Sequence, residues 1–253
     1  MAKRRASSVS TLIPQLSRTD FIVHLGGAVL NGLLLTAAVA WLAAHAHTLV
    51  QAWYLLIPAV FGASYVADFV TGLLHWAFDT WFAETTSGMR RMVLLVREHH
   101  THPERIFTYS FWQDAGLLSW FAALAGAPML AMSIFDVLGP RPGCALAVAS
   151  IVTSLEIVCM LQFHKCGHAT RPGFLVRCLQ TIHVLLPARH HLQHHGGAHD
   201  RNYCLVNGLF DRTAGALGFW RGLEAVVSLL TGAVPRENDV LWMRRHGATR
   251  NDQ

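Results

Sequence analysis

Charge is what this sequence has least of. Only 14% of its 253 residues are Asp, Glu, Lys or Arg, against roughly 25% in an ordinary soluble domain. With 53% hydrophobic residues, the composition excludes a disordered, collagen-like or mucin-like chain. Cysteine is scarce and badly spaced for metal or disulfide work. The five cysteines (Cys144, Cys159, Cys166, Cys178, Cys204) never fall in a CxxC pattern. A thiolate zinc site and a disulfide framework are therefore not expected. Lysine is almost missing: 18 of the 20 basic residues are Arg, and the net charge is +5. No basic run is interleaved with aromatics outside an apolar context, so nucleic acid is not an expected partner. Internal repeats and low-complexity linkers are also absent.

The apolar residues that are present gather in long blocks. Four of them, at about 21–44, 52–74, 115–138 and 144–163, are long enough to cross about 30 Å of hydrocarbon, which takes roughly 20 helical residues. The first block is about 24 residues, longer than the 7–15 of a secretory signal, and is expected to be a retained span. Segment 45–51 joins the first two blocks. Gly139-Pro140-Arg141-Pro142-Gly143 reads as a helix-breaking turn between the last two. The expected fold is all-α: a polytopic membrane protein with four transmembrane helices in two hairpins. Residues 1–20 form a basic N-terminus, 21–240 the membrane domain and 241–253 a polar tail.

Four spans put the N-terminus, segment 75–114 and the region after 163 on one side. Nineteen of the 20 Lys and Arg residues lie there, with only Arg141 opposite. By the positive-inside rule that side is cytoplasmic. Twelve of the histidines, from His75 to His199, lie on or near the same face. The result is a cytoplasmic histidine-rich helical cap. Within it, segments 174–186 and 217–230 are amphipathic. They suit either an interfacial position in the headgroup region or packing on the cap itself.

The sequence has 16 histidines, more than Asp and Glu together. The informative ones form four groups: His75 with Asp79; His99 and His100; His164 and His168; and His190, His191, His194 and His195. Residues four apart share one helix face. That relation holds for 75 and 79, 164 and 168, 190 and 194, and 191 and 195. Nine imidazoles exceed what a structural zinc, a catalytic zinc or a mononuclear iron triad needs, so two metals are expected. Imidazole alone leaves iron, zinc, copper and nickel open. His24, His45 and His47 lie apart and read as incidental. Asp68 and Glu156 precede His75 and His164 by seven and eight residues on the same helix faces. Carboxylates in spans are functional candidates. With Asp79, they are placed to accept the second ring N–H of a ligating histidine, or to make polar contacts between spans.

The ordered motifs HWAFDTW (75–81), REHHTHP (97–103), HKCGH (164–168), LLPARHHLQHH (185–195), YC (203–204) and FWRGLE (219–224) resemble the Kua family of lipid desaturases, across roughly residues 60–240. The third box departs from the family pattern at Cys166 and Gly167 but keeps both histidines. The resemblance implies a histidine-bound centre of two iron ions, dioxygen as co-substrate, a membrane phospholipid as substrate, and two electrons from a small cytochrome- or ferredoxin-type carrier. It implies metal ligands at His75, His99, His100, His164, His168 and the 190–195 cluster, with Asp79 as the motif's aspartate. No protein side chain is expected to act as a separate catalytic base. The expected activity is a vinyl-ether double bond placed in the alkyl-ether chain of an ethanolamine phospholipid. The alternatives are a desaturase or hydroxylase of phospholipid acyl chains and, from another class, a membrane metal-binding or transport protein. A transporter would carry its ligands at mid-membrane depth.

Overall fold

The computed structural model describes residues 15–242 apart from 198 and 240. The basic stretch at Lys3, Arg4 and Arg5 and the polar tail from 243 lie outside the described residues. Every regular element among the described residues is helical: α1 (Arg18–Ala44), α2 (Ala46–Gln51), α3 (Trp53–Thr80), α4 (Arg90–Thr101), α5 (Trp112–Ile134), α6 (Pro140–Val158), α7 (Met160–His168), α8 (Phe174–Thr181), α9 (Ala188–His195), α10 (Leu209–Ala216) and α11 (Phe219–Thr231), with a 3₁₀ turn at Pro103–Thr108. Helices α1, α3, α5 and α6 are long and apolar enough to cross a membrane.

The helix ends follow local chemistry rather than hydropathy. Helix α1 starts at Arg18, ahead of its apolar run, because Ser17 and Asp20 form a reciprocal capping box. The turn before α6 falls at residues 135–139, not at 139–143. Asp136 and Gly139 adopt positive φ (52° and 86°), and Pro140 opens the next helix. Proline fits a first helical position because its missing N–H would have no partner there. The apolar run expected to reach 163 breaks at Cys159, so α7, with His164 and His168, is a separate helix.

Helices α5 and α6 pack as a hairpin, with α1 mainly against α5 and α3 mainly against α6. The first hairpin therefore straddles the second. Lipid tails are as apolar as leucine, so spans associate through small residues and interhelical hydrogen bonds. A Cβ on Gly27 would sit 2.2 Å from the Gly116 carbonyl oxygen, which shows how closely α1 and α5 approach. Ser150 donates to the Gly126 carbonyl at 2.8 Å and Ser133 to the Gly143 carbonyl at 2.9 Å, joining α6 to α5. At one end of this bundle, α4, α7 and α9 gather against the last turns of α3.

Candidate metal centre

Four helices bring the histidines together. The end of α3 carries His75 and Asp79, the last turn of α4 carries His99 and His100, α7 carries His164 and His168, and α9 carries His191, His194 and His195. They sort into two groups. His99, His164, His168, His191 and His195 form one, and His75, Asp79, His100 and His194 the other. Within each group the ligand atoms lie within 4.8 Å of one another.

In the five-histidine group, the Nε2 of His191 stands 2.8 Å from that of His164, 2.7 Å from that of His168 and 3.1 Å from that of His195. His168 and His99 are 3.1 Å apart, again Nε2 to Nε2. Burial holds His99, His164 and His191 well below the ordinary histidine pKa, with the neighbouring imidazoles adding to the effect. His168 is pushed down to about 4 and His195 to about 2, again mainly by burial. The rings are thus neutral at physiological pH, the form that binds metal.

The second group shows its tautomers. His75 Nδ1 lies 2.9 Å from the Tyr203 carbonyl oxygen and His194 Nδ1 2.8 Å from that of Arg201. A carbonyl only accepts, so each Nδ1 carries the hydrogen and each Nε2 presents a lone pair. His100 Nδ1 meets Asp239 Oδ2 at 2.5 Å. Asp79 lies among these lone pairs, 3.4 Å from the Nε2 of His75 and of His194 and 3.6 Å from that of His100. Both its oxygens are buried with no hydrogen-bond partner. Arg236 reaches Asp79 Oδ1 only at 4.0 Å and leaves the Nε2 atoms unmatched. A carboxylate and three imidazole lone pairs facing each other in a buried space repel unless a cation sits among them. The donor set therefore fits a metal ion, and the five-histidine group fits a second.

Three residues expected near the ligands stand elsewhere. His190 projects from α9 away from both groups, and its Nε2 pairs with Asp211 Oδ2 at 3.0 Å. Asp68 accepts backbone N–H bonds from Val206, Asn207, Gly208 and Phe210. Glu156 accepts from the Ser64 hydroxyl at 2.7 Å, joining α6 to α3.

Other residues around the site were not singled out in the sequence. Asp239 accepts from Arg97 at 2.6 Å and is also held by Arg236 at 2.5 Å. Arg97 lies 4.6 Å over the Trp242 ring, and Trp242 donates to Glu84 at 2.8 Å. These groups stand behind His100; Arg97 opens the REHHTHP motif, whereas Glu84, Arg236, Asp239 and Trp242 come from segments apart from it with no motif spacing to reveal them. His199 is buried with neither ring nitrogen partnered and stacks on His100 at 4.0 Å between centroids. Its place four residues after His195 was the one available signal.

An open apolar cleft with a volume of about 120 Å³ reaches the centre. Leu74, Phe78, Val96, Leu118 and Phe121 contribute to its walls, and His75, His99 and His164 line it too. It therefore meets histidines from both groups.

Residues 64–238 match the sequence model of the lipid desaturase domain. The chain is 31% identical to plasmanylethanolamine desaturase 1 of Mus musculus, over 76% of this chain and 72% of that protein. It is 30% identical to plasmanylethanolamine desaturase of Myxococcus xanthus, over 74% and 66%. It is 28% identical to the chloroplastic fatty acid desaturase 4 of Arabidopsis thaliana, over 72% and 55%. No solved structure matches.

Proposed function

The chain belongs to the lipid desaturase family, and from that premise we propose that it forms a vinyl-ether double bond in the alkyl-ether chain of an ethanolamine phospholipid. The observation that carries this reading is the apolar cleft lined by histidines of both ligand groups. It is joined by the similarity to two plasmanylethanolamine desaturases. Two hydrogen atoms leave adjacent carbons of the chain. With two protons and two electrons they reduce one dioxygen to two waters. The electrons come from a small cytochrome- or ferredoxin-type carrier.

Two iron ions would be held here, one by His99, His164, His168, His191 and His195 and the other by His75, Asp79, His100 and His194. When bound, iron supplies with dioxygen the oxidising power to remove hydrogen from an unactivated alkyl C–H bond. The remaining work falls to the chain's own residues. Tyr203 and Arg201 present carbonyls, and Asp239 a carboxylate, that orient the imidazoles. Leu118, Phe121 and Phe78 exclude water and align the lipid tail toward His75, His99 and His164. In this reading residues 21–240 are the working unit, and the distribution of basic residues supports a cytoplasmic side for the cap and both termini.

The test is expression in cells that lack plasmalogens, fed an alkylglycerol. Acid-labile vinyl ethers should appear in the extracted lipids, and the purified protein should contain about two irons per chain. A new acyl double bond without vinyl ethers would transfer the assignment to acyl-chain desaturation. Active protein with one tight zinc and no iron would end the di-iron reading.

A further inference from the structure

Helix α3 serves as a depth gauge. Trp53 and Tyr54 at its start are exposed, as interfacial aromatics are. At a rise of 1.5 Å per residue, Tyr65 and Phe69 lie roughly 18 and 24 Å further along, inside a hydrocarbon layer about 30 Å thick. Residues from the far end of the chain meet them there. The Phe210 ring lies 5.3 Å from that of Tyr65 and 4.9 Å from that of Phe69, and Phe219 lies 6.2 Å from Phe69.

Backbone that is not helical is tolerated at this depth only if its polar groups are satisfied by protein. The stretch before α10 meets that condition chiefly through two carboxylates. Asp68 is fully buried. Its Oδ1 accepts N–H bonds from Val206, Asn207 and Gly208 at 3.0–3.2 Å, and its Oδ2 one from Phe210 at 2.9 Å. Asp211 does the same for the Tyr203 and Cys204 N–H groups and the Trp220 indole.

Part of the outer surface of α11 is apolar too. Trp220, Leu223 and Val227 pack inward with Trp76 and Tyr203. Yet Leu229 and Leu230 on the same helix are 84% and 78% exposed, and Val226 is 50% exposed. The apolar face of this amphipathic helix is thus wider than the strip that packs inward, and an uncovered apolar strip does not suit water; it adjoins the membrane-spanning surface of α3. Near its start, Arg221 pairs with Asp200 of the cap and with Glu224, so the polar side of α11 turns toward the cap.

We propose that residues 203–231 re-enter the leaflet on the histidine side as a wedge. The wedge is clamped to α3 by Asp68, and Val226, Leu229 and Leu230 face the hydrocarbon chains of that leaflet. Its partner is lipid, and the inference rests on α3 spanning a membrane, not on which lipid is desaturated. The wedge also carries Tyr203, whose carbonyl orients His75, so it links the bilayer to the second ligand group.

The experiment places a nitroxide on the full-length protein in phospholipid nanodiscs, in a Cys178→Ser background, through Val226→Cys, Leu229→Cys or Leu230→Cys. Asp200→Cys serves as the reference in the cap. Collisions with dioxygen, which concentrates in hydrocarbon, should exceed those with a water-soluble nickel chelate several-fold at 226, 229 and 230. The order should reverse at 200. Dominant nickel collisions at all three α11 positions would overturn the proposal. Protection from both quenchers there would overturn it as well, because the face would then be covered by protein. The readout needs neither metal nor turnover, so it can fail while the desaturase reading stands.

Discussion

The two ligand groups are built from the same residue type but are supported differently. Behind each imidazole of the second group stands an oxygen: the Tyr203 carbonyl, the Arg201 carbonyl, or the Asp239 carboxylate. In the five-histidine group, the Nδ1 atoms of His99, His191 and His195 are buried with no partner among the described residues. One site has its lone pairs aimed by outside groups that lock tautomer and ring angle. The other relies on helix register, with α7 and α9 each offering ligands four residues apart. Identical side chains in one cap can thus be positioned by a hydrogen-bond network or by helix geometry alone.

The comparison breaks most sharply if ligand loss is not selective. His164→Ala and His194→Ala should each reduce product to below detection while the protein stays in the membrane. Each should also lower metal content from about two per chain toward one. Full activity in both variants would remove the histidine groups from the chemistry. The next largest effect belongs to Asp239. Asp239→Asn should weaken one metal equivalent by about 10–100-fold, the usual consequence of losing a group that orients a ligating histidine. The other equivalent should keep its affinity, and Asp239→Glu should restore part of the loss. A cobalt titration resolves the two, and equal weakening of both would erase the asymmetry. His190→Gln tests the residue that faces neither group. It should leave both metals bound and cost roughly 1–3 kcal/mol of stability through the lost contact to Asp211, read as a lower Tm.

The smallest effect is with pH in the metal-free protein. His168 and His195 have folded pKa values of about 4 and about 2, below the ordinary value near 6.5. The unfolded chain therefore binds protons that the folded chain does not. Stability contributed by these rings is complete above about pH 6.5 and is lost as pH falls below it. Between pH 7.5 and 5.5 each should contribute a loss of roughly 1 kcal/mol. His195→Gln should make the Tm less sensitive over that range.

The bundle was legible because apolar blocks of membrane length have few other uses in a chain this poor in charge. The histidine groups were legible because four-residue spacing within a helix is a local property, and α3, α7 and α9 keep it. Asp68 and Glu156 illustrate the limit of the same reasoning. Asp68 shares α3 with His75 yet binds a loop about 140 residues away, and Glu156 is cut off from His164 by the break at Cys159 and binds a serine on another span. Helix-face arithmetic says which side a residue is on, not what will be packed against that side.

By itself the sequence determined that the chain is helical, that four helices are apolar enough to span a membrane, and that imidazoles in metal-ligand pairs gather at one end. These follow from composition and from periodicities no longer than two helical turns. Tertiary structure alone decided how the histidines divide between two groups and that His191 faces inward while His190 faces Asp211. It also decided that Asp239, Tyr203 and Arg201 orient the rings and that α10 and α11 lie beside α3. Apart from the Arg201 carbonyl, seven residues from His194, these depend on which distant segments meet. A hydrogen bond between residues more than a hundred positions apart leaves no spacing in the sequence, because the partner is chosen by the packing of whole helices.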